Sequence, residues 1–284
     1  MLVGRGRDGN FMLLRSMISA SNTMNQLQKQ IDHIGHNLAN VDTNGYKKTS
    51  TSFEELVKQQ INNQPDEEKE VGRTSDYGIR VGTGAKLNAK MVYEQGVLKT
   101  TGRELDIAFI KPDQYLQVEV NGEIRYTRDG ALYLSPANDG TNRLMLVNSD
   151  GYSILDENQN PIFLNDSFEK ISISPNGTLT AVPRNDNEEE QVLNLGVVRI
   201  TRQDLLEQAG NNLYDLNENF GYIEYLDGEL RREISVQQGA LEGSNVNLAT
   251  EMTDLMVAQR SYQLNAKSIT IGDQMLGLIN NIRT

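Results

Sequence analysis

The first regular feature of the chain is a row of apolar residues near its N-terminus. Their spacing alternates between four and three residues without a break, and Ser, Asn, Gln, Lys and Asp occupy most positions between them. This repeat is typical of a helix that packs along another helix. The N-terminal seam comprises Leu13, Met17, Ala20, Met24, Leu27, Ile31, Ile34, Leu38 and Val41. We predict a helix over residues 12–45 that ends at Asn44-Gly45, because glycine accepts the left-handed conformation of a helix C-terminus.

The C-terminal segment 240–284 carries a similar pattern on a helix predicted to begin near Asn247. Asn247 is a candidate N-cap, and Glu251 falls in the first turns, where a negative charge is favourable. The C-terminal seam also alternates between steps of four and three, with polar interruptions that can fix helix register. It comprises Leu248, Met252, Leu255, Gln259, Tyr262, Ala266, Ile269, Asp273, Leu276 and Asn280.

A second apolar row lies on another face of the C-terminal helix. It comprises Val257, Leu264, Ile271, Met275 and Leu278. A helix with two apolar faces needs at least two neighbours, from its own chain or from other copies. An ordinary helical hairpin in a monomer is the alternative interpretation, but the second row favours additional subunits.

Residues 79–239 combine short apolar or alternating runs with tight-turn pairs. The candidate strands are Ile79–Val81, Leu87–Tyr93, Leu105–Ile110, Leu116–Val120, Ile124–Thr127, Leu132–Leu134, Leu144–Val147, Ile171–Ser174, Leu179–Val182 and Val197–Thr201. The turn pairs are Asn121-Gly122, Asp129-Gly130, Asp139-Gly140, Asp150-Gly151, Asn176-Gly177 and Asp227-Gly228. Because such pairs accept the positive φ angles of tight hairpins, we predict an antiparallel β-rich outer domain of small barrel or sandwich character.

Two segments are expected to lie outside these regular regions. Residues 1–11 contain three glycines and two arginines and are predicted to be a flexible extension, without the apolar core of a secretory signal. Met12 is an alternative translation start. Residues 46–78 are predicted to be a polar connector with a weak helical pattern. This pattern runs through Phe53, Leu56, Val57 and Ile61.

These elements predict an α+β fold class. The N- and C-terminal heptad helices are expected to pair as a coiled coil, and a central antiparallel β domain of hairpins lies between them in the sequence. The charge follows the same division. The chain has 284 residues and a formal net charge of −12, while residues 49–239 carry 18 basic and 32 acidic side chains. The acidic excess therefore belongs to the middle of the chain, where an outward position would keep the protein soluble.

Composition excludes several classes of partner. The negative net charge argues against electrostatic binding of the protein as a whole to nucleic acid or anionic lipid. No apolar run approaches the ~20 residues that a membrane-spanning helix needs. We therefore expect no nucleic-acid partner and no transmembrane segment.

No residue pattern predicts catalysis, a metal site or a cofactor. The chain has no cysteine, which removes disulfides, cysteine nucleophiles and cysteine zinc sites. His33 and His36 could share one side of the first helix, but they lack a nearby third ligand. Gly-x-Ser-x-Gly, P-loop and His-Glu-x-x-His motifs are absent from the sequence. We expect a protein that is not an enzyme, with no catalytic residues, no metal and no cofactor.

The two ends of the chain resemble the bacterial flagellar rod and hook proteins. Residues 36–47, with the sequence HNLANVDTNGYK, are similar to the NNLANVNTxGFK box of that family, and His36, Asp42 and Tyr46 are the departures. The family box residues are Asn37, Leu38, Ala39, Asn40, Thr43, Gly45, Tyr46 and Lys47. The segments similar to the C-terminal box are Ser244–Asn247, Glu251-Met252, Ala258–Tyr262 and Asn265–Lys267. The segments similar to the β-domain turns are Tyr126–Gly130 and Ile173–Gly177.

The resemblance covers about Leu13 to Arg283, and the short middle is similar to rod-type members. It implies a structural subunit of the rod or hook–basal body that the flagellar type III export apparatus exports unfolded, without a cleaved signal. Such subunits assemble helically through their terminal helices, which pair as a coiled coil and line a central channel. The implied partners are copies of itself, other flagellar rod and hook proteins and the export apparatus. The implied location is the bacterial flagellum basal body.

Two other functions are compatible with parts of this sequence pattern. A secreted coiled-coil binding protein or a phage-tail-like shaft protein would share the helical pattern, but it need not carry the two terminal boxes. A cell-wall hydrolase would need a catalytic domain, for which this chain has no segment left.

Overall fold

The computed structural model describes residues 5–55, 59–61, 79–81, 85–137, 143–184, 189–216 and 221–282. The chain divides into two compact units. The first, here called the helical unit, comprises Met1–Leu38, Thr49–Lys90 and Leu248–Thr284. The second, here called the β unit, comprises Ala39–Lys48 and Met91–Asn247. Each unit therefore contains segments that are far apart in the sequence.

Two helices of 35 residues each dominate the helical unit, α1 (Arg5–Ala39) and α2 (Leu248–Ile282). Helix α1 begins inside the predicted flexible extension 1–11, so that prediction is wrong for the backbone of residues 5–11. A preformed helix lengthens at little cost because only its nucleus is unfavourable, and this outweighs the cost of two glycines in that segment. Helix α1 also ends at Ala39, earlier than the predicted residue 45. After it, Thr43 N–H donates to the Asn40 carbonyl and Thr43 Oγ1 donates to Asn40 Oδ1, and these local bonds replace the helical pattern.

Helices α1 and α2 meet in an antiparallel direction within the helical unit. Asn37 Nδ2 donates to Glu251 Oε2 at 3.2 Å. Twenty or so residues away along both helices, a Cβ atom added to Gly272 would lie 3.0 Å from Met17 Cγ. The residue near the start of α2 contacts the end of α1, and the residue further along α2 contacts an earlier part of α1. The two helices therefore run in opposite directions.

The helical unit also contains a β ribbon. Strand β1 (Thr49–Glu55) pairs with β4 (Ala85–Met91), and β2 (Gln59–Ile61) pairs antiparallel with β3 (Ile79–Val81). The weak helical pattern predicted in the polar connector is therefore wrong at Phe53, which lies on β1, and at Ile61. The alternating Thr and Ser residues of β1 suit an extended backbone better than a helix. Leu56 and Val57 lie outside the described residues.

The remaining strands build the β unit. They are β5 (Leu98–Thr100), β6 (Ile107–Phe109), β7 (Gln114–Val120), β8 (Glu123–Thr127), β9 (Tyr133–Pro136), β10 (Arg143–Val147), β11 (Ser153–Ile154), β12 (Phe163–Asn165), β13 (Phe168–Ile173), β14 (Thr178–Pro183), β15 (Gln191–Asn194), β16 (Val197–Ile200), β17 (Glu207–Gly210), β18 (Leu213–Asp215), β19 (Ile223–Tyr225), β20 (Val236–Gln238) and β21 (Ala240–Glu242). Every candidate strand of the sequence overlaps an observed strand, and the prediction of a central antiparallel β domain is confirmed.

Among the described residues, the largest sheet of the β unit contains ten strands. Its main path follows the order β12-β10-β11-β7-β8-β18-β17, with β16, β19 and β9 attached to it. Strands β13, β14 and β15 form a separate antiparallel meander. Two short pairs, β5 with β21 and β6 with β20, join the beginning of the unit to its end.

Tight turns explain the hairpins that the sequence predicted. Strand β7 turns into β8 through Asn121 and Gly122, which both have positive φ angles of 53° and 83°. Gly177 has a φ of 74° between β13 and β14. Gly130, by contrast, lacks a positive φ and packs where an added Cβ would overlap the Ile107 carbonyl. Asp139-Gly140 lies outside the described residues.

Apolar side chains of the β unit form two buried clusters. The larger joins the ten-stranded sheet to the meander and includes Ile107, Leu116, Leu146, Ile154, Leu179 and Val197. The smaller is rich in tyrosine and includes Tyr115, Tyr126, Val198, Ile200 and Tyr214. The rings of Tyr115 and Tyr214 meet edge to face with centroids 5.9 Å apart. Both clusters draw on strands from the whole length of the unit.

Candidate functional site

The segment that follows α1 and the segment that precedes α2 meet inside the β unit. We call this meeting place the junction and define it as residues 39–48 and 240–247. Gly45 N–H donates to the Glu242 carbonyl at 2.7 Å, and Asn245 N–H faces the Tyr46 carbonyl. The junction contains most of the N-terminal family box and the beginning of the C-terminal box.

Gly45 lets the N-terminal segment approach the body of the β unit. Its φ of +69° is the left-handed conformation that side chains disfavour. An added Cβ would lie 2.7 Å from the carbonyl carbon of Arg128 and 2.9 Å from Asp129 N. Backbone conformation and packing space therefore both require glycine at this position.

A buried cluster of three charged residues joins both segments of the junction to Arg128, which directly follows β8. Lys47 Nζ contacts Glu242 Oε1 at 2.6 Å, and Arg128 donates to Glu242 Oε2 from Nε at 2.8 Å and from an η nitrogen at 2.5 Å. All three side chains are fully buried. We call this cluster the charge triad. Buried charges at this depth are stable only when paired and hydrogen-bonded.

Main-chain groups satisfy the remaining polar atoms of the charge triad. Gly96 N–H donates to Glu242 Oε1, and Lys47 Nζ also donates to the Glu94 carbonyl at 2.8 Å. An η nitrogen of Arg128 donates to three further carbonyls. These belong to Lys111, Pro112 and Gln114. Each side-chain nitrogen of Lys47 and Arg128 thus donates to the Glu242 carboxylate, to a main-chain carbonyl or to both. The cluster is therefore a connected hydrogen-bond network.

The surroundings of the triad alter the protonation of Lys47. Burial, and then the nearby positive charge of Arg128, lower the pKa of Lys47 from 10.5 to about 8, while Glu242 acts in the opposite direction. Two cations share the Glu242 carboxylate, and its charge offsets only part of the effect of burial and of Arg128 on Lys47. Arg128 gains additional support from the rings of Phe109 and Tyr115, which its guanidinium faces at 5.7 and 5.5 Å.

Asn245 closes the other side of the junction. Its Oδ1 accepts from Lys48 N–H at 2.7 Å, and its Nδ2 donates to the carbonyls of Val92 and Glu94. One amide side chain therefore joins the segment after α1, the segment before β5 and the segment before α2. An amide supplies both donor and acceptor groups, which explains asparagine at this position.

Asn37, the other amide of the N-terminal box, acts within the helical unit. Its side chain exchanges two hydrogen bonds with the main chain of Thr49, at 2.9 and 3.0 Å, in addition to its bond to Glu251. Asn37 is 1% exposed and Glu251 is 6% exposed. The box thus supplies a buried polar contact to each unit, Asn37 in one and Lys47 in the other.

The N-terminal seam lies on the more buried side of α1. Leu27 and Ile34 are buried, while the half-buried members are Met17, Ala20, Met24, Ile31, Leu38 and Val41. The side chain of Leu13 lies outside the described residues. Of the box residues, Asn37, Gly45, Tyr46 and Lys47 are buried, Leu38, Asn40 and Thr43 are half-buried and Ala39 is exposed.

The C-terminal seam is divided between covered and open positions. The half-buried members are Leu255, Tyr262, Ala266, Ile269 and Leu276, and the exposed members are Leu248, Met252, Gln259 and Asp273. The buried positions of α2 are Glu251, Ala258 and Gly272. Small residues at two of these allow close helix packing, which explains the contact of Gly272 with Met17. The side chain of Asn280 lies outside the described residues.

The second apolar row of α2 is exposed along its whole length. Val257 is 57% exposed, Leu264 66% and Leu278 63%, and Ile271 and Met275 are also exposed. This row stays a predicted contact surface for other copies of the chain, and both seams stay predicted surfaces through which the two terminal helices pair.

Sequence reasoning missed the charge triad, although Lys47 belongs to the box. The sequence pattern predicts only a turn around Arg128, and it gives Glu242 no role. The one available signal was a glutamate directly after the apolar pair Ala240-Leu241, at a position where a strand would bury it. Such a signal is weak, because most glutamates are exposed.

Among the described residues, neither a metal-binding cluster nor a membrane-spanning helix is found. They contain no group of three or more His, Cys, Asp or Glu side chains that could hold a metal ion. Neither α1 nor α2 has, within its described residues, the long apolar stretch that crossing a bilayer requires.

Terminal helices, a central hairpin domain and a junction built from two boxes define a protein of the flagellar rod and hook class. Three family models match the chain in the corresponding order. The flagella basal body rod protein model matches residues 17–47, the flagellar hook protein FlgE/F/G D1 domain model residues 109–181, and the flagellar basal body rod FlgEFG protein C-terminal model residues 237–282. The matched ranges include all three residues of the charge triad.

Individual relatives identify the family. The flagellar hook-basal body complex protein FlhP of Bacillus subtilis (strain 168) is 49% identical over 273 residues, which are 95% of this chain and 100% of the relative. The flagellar basal-body rod protein FlgG of the same organism is 32% identical over 275 residues, with coverage of 95% and 100%. FlgG of Borreliella burgdorferi is 31% identical, with coverage of 95% and 99%. The chain belongs to the flagellar basal-body rod protein family, and none of these relatives bears the name of an enzyme.

Proposed function

We propose that this protein is a structural subunit of the flagellar rod that assembles helically with copies of itself and with other rod and hook proteins. The observation that carries the proposal is the exposed second apolar row of α2. Family membership supports the location in the basal body, and the names of the relatives refer to the same structure.

The second row has the dimensions of a helix-packing surface. It extends from Val257 to Leu278, which at 1.5 Å per residue is about 30 Å of helix. Contiguous exposed apolar surface of this kind marks an interaction site in soluble proteins. Successive helix residues are about 100° apart, so the row faces away from the side of α2 that includes Ala258 and Gly272. One side of α2 is thus available for α1 of the same chain and another for a neighbouring copy.

We infer that α1 and α2 pair as an antiparallel coiled coil in the assembled subunit. The two contacts of the helical unit, Asn37 with Glu251 and Met17 with Gly272, support this pairing. The unbroken 4-3 spacing of the N-terminal seam supports it as well. A pair of helices that offers a further apolar face can stack around a common axis, which is the geometry of a tube.

Export through the flagellar type III apparatus, without a cleaved signal, is also part of the proposal. A chain without cysteine cannot form cross-links that would hinder passage of an unfolded thread. The net charge of −14 in residues 49–239 favours solubility before assembly. An outer position for the β unit would hold these charges further apart than an inner position.

A secreted coiled-coil binding protein or a phage-tail-like shaft protein is the alternative. The exposed row of α2 would suit such a protein equally well. The match of both terminal boxes to rod family models favours the flagellar function.

The test replaces two members of the second row with lysine, in Leu264→Lys/Ile271→Lys. Because both side chains are exposed, the variant should keep its helical circular dichroism. It should be exported, yet be missing from purified basal bodies, and the cells should lose motility. The matched control is Gln263→Lys/Thr270→Lys, which changes two exposed polar residues of α2 on a different side of the helix.

Two outcomes would contradict the proposed function. Normal incorporation of the Leu264→Lys/Ile271→Lys variant would show that the second row is not an assembly surface. Unchanged release of the protein from a strain without the flagellar export gate would remove the export step.

A further inference from the structure

Glu242 is the only carboxylate that contacts Lys47 and Arg128 in the charge triad of the described structure. Both cations are fully buried, and their remaining partners are main-chain carbonyls. Carbonyl dipoles orient these cations but do not neutralise them. The triad carries a net charge of +1 with Glu242 present, and its two like charges would be uncompensated without it.

The three members of the triad become available at different times in a chain that emerges amino end first. Lys47 and Arg128 precede Glu242 by 195 and 114 residues. Strands β20 and β21, which pair with β6 and β5, also come late in the chain. Most of the β unit therefore exists before the carboxylate and the two closing strands are present.

Closure of the β unit without Glu242 would bury two positive charges in one place. Removing one partner of a buried ion pair is strongly destabilising, because the other charge is left unpaired. A chain that lacks residue 242 would avoid this cost if Lys47 and Arg128 stayed hydrated. In that state the segment around Gly45 cannot dock either, since its close approach to Arg128 and its bond to the Glu242 carbonyl belong to the same closure.

We propose that the charge triad is a folding latch that keeps the β unit and the N-terminal box open until the segment carrying Glu242 arrives. This use of the latch rests on the proposed function, in which the exported chain emerges amino end first and folds afterwards. The latch would delay compact structure until residues 236–247 are in place, so that the body of the subunit forms only from a nearly complete chain.

The latch is tested on the purified full-length chain, independently of export or assembly. Glu242→Gln keeps the shape of the side chain and removes its charge. Hydrogen exchange should show that the amides of residues 45–48 and 126–130 lose protection by about a hundredfold or more. Glu251→Gln is the matched control, because it makes the same change at a buried carboxylate of the helical unit. It should leave protection of these β-unit amides within about threefold of the parent.

A triple variant separates the latch from a general need for a well-packed residue. Lys47→Met, Arg128→Met and Glu242→Leu together remove all three charges, and apolar replacement of a complete buried ion cluster is often neutral or stabilising. The triple variant should regain at least about tenfold of the protection that Glu242→Gln loses. This comparison also applies if Glu242→Gln does not fold at all.

Two results would overturn the latch. The first is parent-like protection in Glu242→Gln, and the second is a triple variant no better protected than Glu242→Gln. Either result would leave the proposed rod function intact, because no assembly step enters the measurement. Failure of the second-row lysine test would, in turn, leave the latch intact.

Discussion

Asn37 and Glu251 are 214 residues apart in the sequence and share a buried hydrogen bond of 3.2 Å between α1 and α2. A buried polar pair between two helices favours one register, because a slip would separate the two groups and leave them buried without each other. The same Asn37 side chain binds the main chain of Thr49. It therefore links helix register to the start of the β ribbon.

Replacing Asn37 with alanine should destabilise the helical unit. The change leaves the Thr49 main-chain groups and the Glu251 carboxylate without this partner, and we expect a loss of about 2 kcal/mol or more. Urea unfolding followed by far-ultraviolet circular dichroism measures the effect. Asn25→Ala, at an exposed position of α1, is the control and should change stability by less than about 0.5 kcal/mol. Equal effects of the two substitutions would show that the buried amide contributes nothing.

Gly45→Ala should lower the free energy of unfolding far more than Gly122→Ala does. Both glycines have positive φ angles, but an added Cβ meets nothing within 4 Å at Gly122 and meets the Arg128 backbone at Gly45. We expect a loss of about 1 kcal/mol for Gly122→Ala from the backbone conformation alone. Gly45→Ala should lose about 3 kcal/mol or more, because backbone atoms cannot move aside as side chains do. Thermal unfolding of the β unit compares them, and similar costs would contradict the close approach.

Lys47 should make stability rise with pH between about 8 and 10.5. Its folded pKa is lowered to about 8, so in this range the unfolded chain binds a proton that the folded chain has released. More protons bound in the unfolded state means that the free energy of unfolding increases with pH. Lys47→Met should abolish this rise while Arg128 and Glu242 remain paired. Urea unfolding at several pH values checks it, and identical profiles for parent and variant would disprove the contribution of Lys47.

The buried tyrosines should make the β unit unstable at high pH. Burial raises the pKa of Tyr93 from 10.0 to about 12, and burial also raises the pKa values of Tyr115 and Tyr214. Above about pH 10 the unfolded chain therefore loses phenol protons that the folded chain retains, and the free energy of unfolding falls as pH rises.

Phenolate absorbance during alkaline titration measures this effect, and part of the signal should appear only on unfolding. Tyr115→Phe is the informative variant, because the Tyr115 hydroxyl has no hydrogen-bond partner among the described residues. The variant should match the parent at neutral pH and lose less stability above about pH 10. Full titration of all tyrosines in the folded protein near pH 10 would contradict the prediction.

Local patterns in the sequence determined much of this fold. The 4-3 spacing from Met17 to Val41 predicted α1, and alternation with Asn121-Gly122 predicted the hairpin of β7 and β8. Such signals work because helix and hairpin geometry repeat over a few residues. Short polar strands were missed for the same reason. Strand β17, for example, is exposed at all four residues and has no alternation to detect.

The sequence by itself determined the two helical ends, the hairpins between them and, through the terminal boxes, the flagellar rod family. Only the tertiary structure decided that Glu242 forms ion pairs with both Lys47 and Arg128, and that Ala258 and Gly272 lie on the buried side of α2. The physical reason is distance along the chain. A charge is tolerable in a protein interior only when its partner is present, and here the partners come from segments more than a hundred residues apart.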